Sequence, residues 1–112
     1  MAAKQSYLWL VWTRCAPELE AEFNKWYDEV HIPMLTRDGH IVSVRRLKLS
    51  GLVESPQPPY LAIYEFKDEA TFKLWLAGDA LADARKEMKE TWDGRDMEIK
   101  SRAFYAPVSH WG

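Results

Sequence analysis

The chain has 112 residues, 47% hydrophobic and 29% charged, which is the composition of one soluble globular domain and long enough to bury roughly 60–70% of the surface its unfolded form exposes. Fifteen Lys and Arg against 17 Asp and Glu leave a net charge of -2, so there is no electrostatic case for nucleic acid or an anionic membrane as partner. The single cysteine, Cys15, excludes an internal disulfide and suits a reducing compartment; no run reaches membrane-spanning length and residues 1–6 hold no apolar stretch of signal-peptide size, so a cytoplasmic protein is expected.

Residues 7–13 are apolar on both alternating faces, Leu8, Leu10 and Trp12 against Tyr7, Trp9 and Val11, which predicts a strand buried on two sides. Ala16-Pro17-Glu18 opens a first helix, with proline tolerated in its first turn and acids placed well for the dipole. Leu19, Phe23, Trp26, Tyr27 and Val30 share one face of it on a 3.6-residue period. Pro33 biases Ile32 away from helical geometry, so the helix is expected to end just past His31. Asp38-Gly39-His40 is turn chemistry. Residues 41–49 alternate Val42, Val44 and Arg46 against Ile41, Ser43 and Leu47 as a second strand. Residues 50–59, with Gly51, Pro56, Pro58 and Pro59, form a loop. Residues 60–66 make a third strand with Tyr60, Ala62, Tyr64 and Phe66 on one face.

Asp68 is a predicted N-cap for a helix carrying Phe72, Trp75 and Leu76. Gly78-Asp79 interrupts it, and Asp79 caps a further helix with Leu81, Ala84, Met88 and Trp92 on one face. Asp93-Gly94 stops that helix. Residues 97–108 form a last strand, and residues 109–112 a tail. No linker or repeat divides the chain, so residues 1–112 are one domain. The order βαββαβ is that of an α+β, ferredoxin-like split βαβ unit: a four-stranded antiparallel sheet with helices on one face. Five residues by four strands leave an uncovered face of roughly 300 Å² before relief is counted, bearing Trp, Tyr, Val and Ile. Stacking that face on a second copy is the physical remedy, so a homodimer is expected.

His31 is the leading chemical candidate. An imidazole near the end of a buried helix, beside Tyr27 and Trp26, titrates close enough to neutrality to take and return a proton. Asp28, three residues earlier, would raise its pKa and fix its tautomer. Tyr27 and Tyr64 are suited to hydrogen-bond a ligand carbonyl or an enolate, or equally to serve as core tyrosines. Trp9, Phe23, Trp26, Trp75 and Trp92 line a cavity or pack as plain core. Asp38 and His40 with His31 invite a metal reading, but their spacing matches no compact motif and no metal is expected. Arg46 is expected to be salt-bridged at the surface and Cys15 a buried thiol, and His40 and His110 are left unassigned. No Ser-His-Asp set, phosphate loop or nucleotide fingerprint occurs.

The element order and the run from Glu22 to Pro33, with Trp26, Tyr27, His31 and Pro33 in a W-Y-x-x-x-H-x-P spacing, resemble the dimeric α+β barrel superfamily and within it the EthD-like proteins. The resemblance implies a homodimer with a pocket between helices and sheet in each subunit. It also implies a small hydrophobic or aromatic ligand and no cofactor. Relatives include polyketide cyclases, dehydratases, decarboxylases, muconolactone isomerases, quinol-type monooxygenases and haem-degrading enzymes. The expected function is therefore cofactor-independent acid/base catalysis on a small aromatic or polyketide-like compound. A haem- or quinol-type monooxygenase and a non-catalytic binder of a hydrophobic metabolite are the alternatives.

Overall fold

Alternation decides the first strand. In the computed structural model, whose described residues are 6–112, β1 (Tyr7–Cys15) turns Trp9, Val11 and Thr13 into the interior and leaves Leu8, Leu10 and Trp12 half-buried on its other side. Burial on both sides, expected from its pattern, is not reached within one chain because the helices cover one face alone. Residues 1–5, most of the N-terminal stretch noted for its lack of an apolar run, lie outside the described part.

β1 pairs antiparallel with β3 (Tyr60–Phe66) and with β4 (Met97–Tyr105), and β2 (Ile41–Lys48) completes a four-stranded sheet in the order β2-β3-β1-β4. This is the expected ferredoxin-like α+β fold. β4 stops at Tyr105, short of residue 108, because Tyr105 already faces Leu8 near the start of β1 and Pro107 has no N–H to offer. β2 departs from simple alternation. A bulge between Ile41 and Ser43 sets Ile41 opposite Phe66 and Val44 opposite Tyr64, so both face the helices. Val42, expected on the same face as Val44, is instead 51% exposed. One rung crosses the whole sheet on the helix side: Arg46, Ala62, Val11, Arg102. Its middle is small, and the neighbouring rung carries Val44, Tyr64, Trp9 and Phe104.

The first helical region begins with a 3-10 turn, Pro17–Leu19, and continues as α1 (Glu20–Trp26). It does not end after His31. Pro33 lacks the N–H an α-turn needs, and its ring would meet the carbonyl four residues back. The chain widens instead into a π-turn over Tyr27–His31, where the Ile32 N–H donates to the Tyr27 carbonyl, and then resumes as α2 (Ile32–Thr36).

α3 (Glu69–Ala77) is capped as expected, the Asp68 carboxylate accepting from the Thr71 N–H at 2.8 Å. Asp79 before α4 (Ala80–Trp92) differs from expectation: its side chain makes no capping bond, and its backbone carbonyl accepts from the Asp83 N–H at 2.9 Å instead. Gly94, at φ +71°, turns the chain from α4 toward β4. The core between sheet and helices is built largely of rings, with Phe23, Tyr27, Tyr64, Phe66 and Trp75 almost wholly buried. Among the described residues no helix is long and apolar enough to cross a membrane.

Candidate functional site

The π-turn determines where His31 goes. Inserting one residue into the turn places residue 31 above residue 26, where a regular α-helix would carry it to a different face. The imidazole accordingly stacks on the Trp26 indole, centroids 4.7 Å apart and planes at 24°, and meets Tyr27 edge-on at 4.9 Å. It is 5% exposed, and among the described residues its Nδ1 has no hydrogen-bond partner. Burial, reinforced by the positive charges of Arg102, Arg46 and Arg85, lowers its pKa from 6.5 to about 4. The ring is neutral at pH 7, and its surroundings disfavour the protonated form.

Beneath it the Tyr27 and Tyr64 hydroxyls lie 2.6 Å apart, fully buried. Burial raises the Tyr27 pKa to about 12 and pushes that of Tyr64 well above its ordinary value. Both phenols therefore stay protonated. One donates to the other, and the acceptor keeps its own O–H for a third group. Trp9 packs beside Tyr64 at 4.7 Å and Phe104 at 5.8 Å, and among the described residues its buried indole N–H has no partner. Such a donor costs free energy until something accepts from it.

Asp28 does not orient His31. Its carboxylate, 60% exposed, accepts from Arg46 at 3.0 Å, and the same guanidinium donates to Asn24 at 2.8 Å. Arg46 is salt-bridged as expected, though only 16% exposed, and its guanidinium lies 4.3 Å from the centre of the Tyr27 ring. The widened turn sends Asp28 toward β2 while it sends His31 back over Trp26.

The remaining predicted residues divide by their neighbours. Trp26 donates to Glu87 at 2.9 Å, tying α1 to α4. Trp75 donates to the Leu35 carbonyl at 2.9 Å and is wholly buried, as is Phe23. Trp92 packs edge-on against Trp26 and Phe23 under the Arg95 guanidinium, its own N–H unpartnered among the described residues. His31, Tyr27, Tyr64, Trp26 and Trp9 are thus brought together, whereas Phe23, Trp75 and Trp92 belong to the packing around them. His40 forms a turn with Asp38, whose carboxylate accepts from the His40 backbone N–H at 3.2 Å. Among the described residues no three His, Cys, Asp or Glu side chains gather as metal ligands.

Two residues near the imidazole escape the sequence reading: Arg102 on β4 and Arg85 on α4, both exposed at their outer ends. Arg102 shares the inward face with Ile99 and Phe104, but the bulge opposite Trp12 and Thr13 breaks the alternation that would have shown it. Arg85 borders the Leu81, Ala84, Met88 stripe, a weaker signal.

Several solved structures share this fold. An EthD family protein from Bacillus halodurans aligns with a TM-score of 0.66 at 11% identity, covering 93% of this chain and 99% of its own. The haem-degrader MhuD from Mycobacterium tuberculosis aligns at 0.64 and 11% identity, covering 95% and 99%. SnoaB, a cofactor-independent oxygenase from Streptomyces nogalater, aligns at 0.58 and 14% identity, covering 98% and 97%. At these identities the likeness is one of fold. No curated protein matches the sequence. The family model described as a domain of unknown function, DUF4286, matches residues 6–102, and the chain belongs to that family.

Proposed function

We propose that the protein is a cofactor-independent enzyme that moves a proton on a small aromatic or polyketide-like compound, with His31 as the acid/base. The observation that carries this reading is a neutral, almost enclosed imidazole with a free Nδ1, set beside two coupled phenols. His31 removes a proton from a carbon next to a carbonyl. The spare O–H of the Tyr27–Tyr64 pair donates to the oxygen on which negative charge develops, and the imidazolium returns the proton at another position or to a leaving oxygen. Cyclisation, dehydration, decarboxylation and isomerisation all use these two functions. Trp26 and Trp9 form the walls. The ligand enters from the β4 edge, where Arg85, Arg102 and Phe104 are exposed.

A haem- or quinol-type oxygenase makes different demands of the same residues. A histidine that serves haem iron presents a nitrogen to an open space as wide as the macrocycle. The His31 Nδ1 is buried, with one ring face on Trp26 and Tyr27 edge-on beside it, so it does not present a nitrogen to a space of that width. These residues do not fit that group, and no step is drawn through it.

The protein acts as a homodimer in the cytoplasm. Leu8, Leu10, Trp12, Leu61 and Ile63 are left half-buried on the bare face of the sheet, continuous with a cleft of about 480 Å³ lined by Trp12, Leu47, Leu61 and Pro59. A second copy removes that area from water. Light scattering at micromolar concentration is expected to give twice the chain mass; the mass of one chain overturns the dimer.

Exchange at the α-carbon of 2-tetralone in D2O, followed by NMR, tests the chemistry. The protein accelerates exchange over buffer, and His31→Gln loses that acceleration by on the order of 10²-fold or more. A folded His31→Gln that stays within a few-fold of the parent removes the assignment and leaves a binder.

A further inference from the structure

We propose that the ligand of the His31 site carries a carboxylate or a comparable anionic group, which Arg102 and Arg85 hold at the β4 edge of the sheet. This rests on reading the surroundings of His31 as a ligand site.

The argument starts from the rung that crosses the sheet. Arg46 at one end is matched by Asp28 and Asn24. Arg102 at the other end, three strands and about 14 Å away, has no hydrogen bond or ion pair among the described residues. Arg85 has none either. Asp83 and Glu87, the acids nearest to it along α4, lie roughly 160–200° round the helix from it. There they are bound to Arg37 at 2.6 Å and to Trp26 at 2.9 Å. Glu90, the remaining acid of α4, lies about 140° round from Arg85, so no acid of α4 shares the Arg85 face. The two guanidinium groups are close enough that burial and the charge of Arg85 together lower the pKa of Arg102.

Two like charges without a carboxylate between them are a standing cost, and the surrounding polar groups do not relieve it. The Trp9 N–H and the spare phenol O–H of the tyrosine pair are both donors. Two unpaired cations beside buried donors and aromatic rings, with the local acids committed elsewhere, are complementary to an aromatic acid. The forked guanidinium matches a planar carboxylate with two parallel hydrogen bonds. Binding also changes His31. The arginine charges are among the causes that weaken it as a base, and a bound anion offsets them, so the substrate restores basicity to the residue that attacks it.

The test uses 2-naphthoate and its neutral isostere 2-naphthamide, with affinities measured by calorimetry. The wild-type protein is expected to bind the acid roughly tenfold or more tightly than the amide. The double variant Arg102→Gln, Arg85→Gln brings the two affinities within about twofold, while the double variant Lys86→Gln, Lys89→Gln, an equal loss of charge from exposed α4 surface, keeps the preference. The NMR titration of His31 moves upward with 2-naphthoate and stays in place with 2-naphthamide. Equal binding of both probes by the wild type overturns the anion inference and leaves the aromatic site standing. A preference that survives in the double variant overturns the assignment to these arginines. Binding of neither probe overturns the ligand site itself and the inference with it.

Discussion

Arg46 and Arg102 occupy the two ends of one rung, face the same side of the sheet, and differ in nearly everything else. Arg46 is clamped by Asn24 and Asp28 and lies over the Tyr27 ring. Arg102 makes no ion pair among the described residues, and the Arg85 charge bears on it. The first arginine is a structural part, its charge answered within the chain and its stem covering aromatic surface. The second holds charge in reserve. A side chain's type and strand position did not separate the two; its partners did.

The largest test of this contrast passes through the imidazole that lies within reach of both charges. The folded pKa of His31, about 4, lies below its unfolded value of 6.5, so the unfolded chain takes up the proton first as pH falls. The His31 contribution is therefore intact above pH 6.5, declines between 6.5 and about 4, and levels off below, a loss of about 3 kcal/mol. Urea unfolding of the wild type and of His31→Gln at stepped pH measures it as the difference between the two curves. Parallel curves would mean that the ring is not held neutral by burial.

Smaller effects sharpen the comparison directly. Arg46→Ala removes stacking and packing on Tyr27 and is expected to cost about 1–2 kcal/mol of unfolding free energy. Arg102→Ala should lie within about 0.5 kcal/mol of the parent or above it, since it relieves a like-charge contact. Equal losses at both ends would erase the distinction. Tyr64→Phe leaves the Tyr27 hydroxyl buried without its partner and should cost about 1–2 kcal/mol. Asp28→Asn is the mildest change. Its carboxylate is largely exposed, so the loss should stay under about 1 kcal/mol and the NMR titration of His31 should not move. A downward shift in that titration would restore Asp28 as the residue that supports the imidazole.

The sheet was legible because it rests on two-residue alternation. Tyr60, Ala62, Tyr64 and Phe66 all face inward as their spacing requires. The failures came where one extra residue interrupts a period. The bulge at Val42 turned that residue outward. The bulge opposite Trp12 and Thr13 hid Arg102. The π-turn carried the helix through Pro33 and parted Asp28 from His31. An insertion that alters register leaves no mark on composition, and the residues that gather around His31 sit at or beside such insertions. His31 itself could be named because rings and a proline surround it in sequence.

The π-turn also makes Pro33 a wedge. With alanine there, the segment regains an amide hydrogen and is free to relax to the tighter repeat, which would swing position 31 by about a quarter turn and lift the imidazole off the indole. The indole would lose the ring that covers it without either of the two stacked residues having been altered. One cyclic side chain, two places downstream, thereby sets which neighbours residue 31 meets.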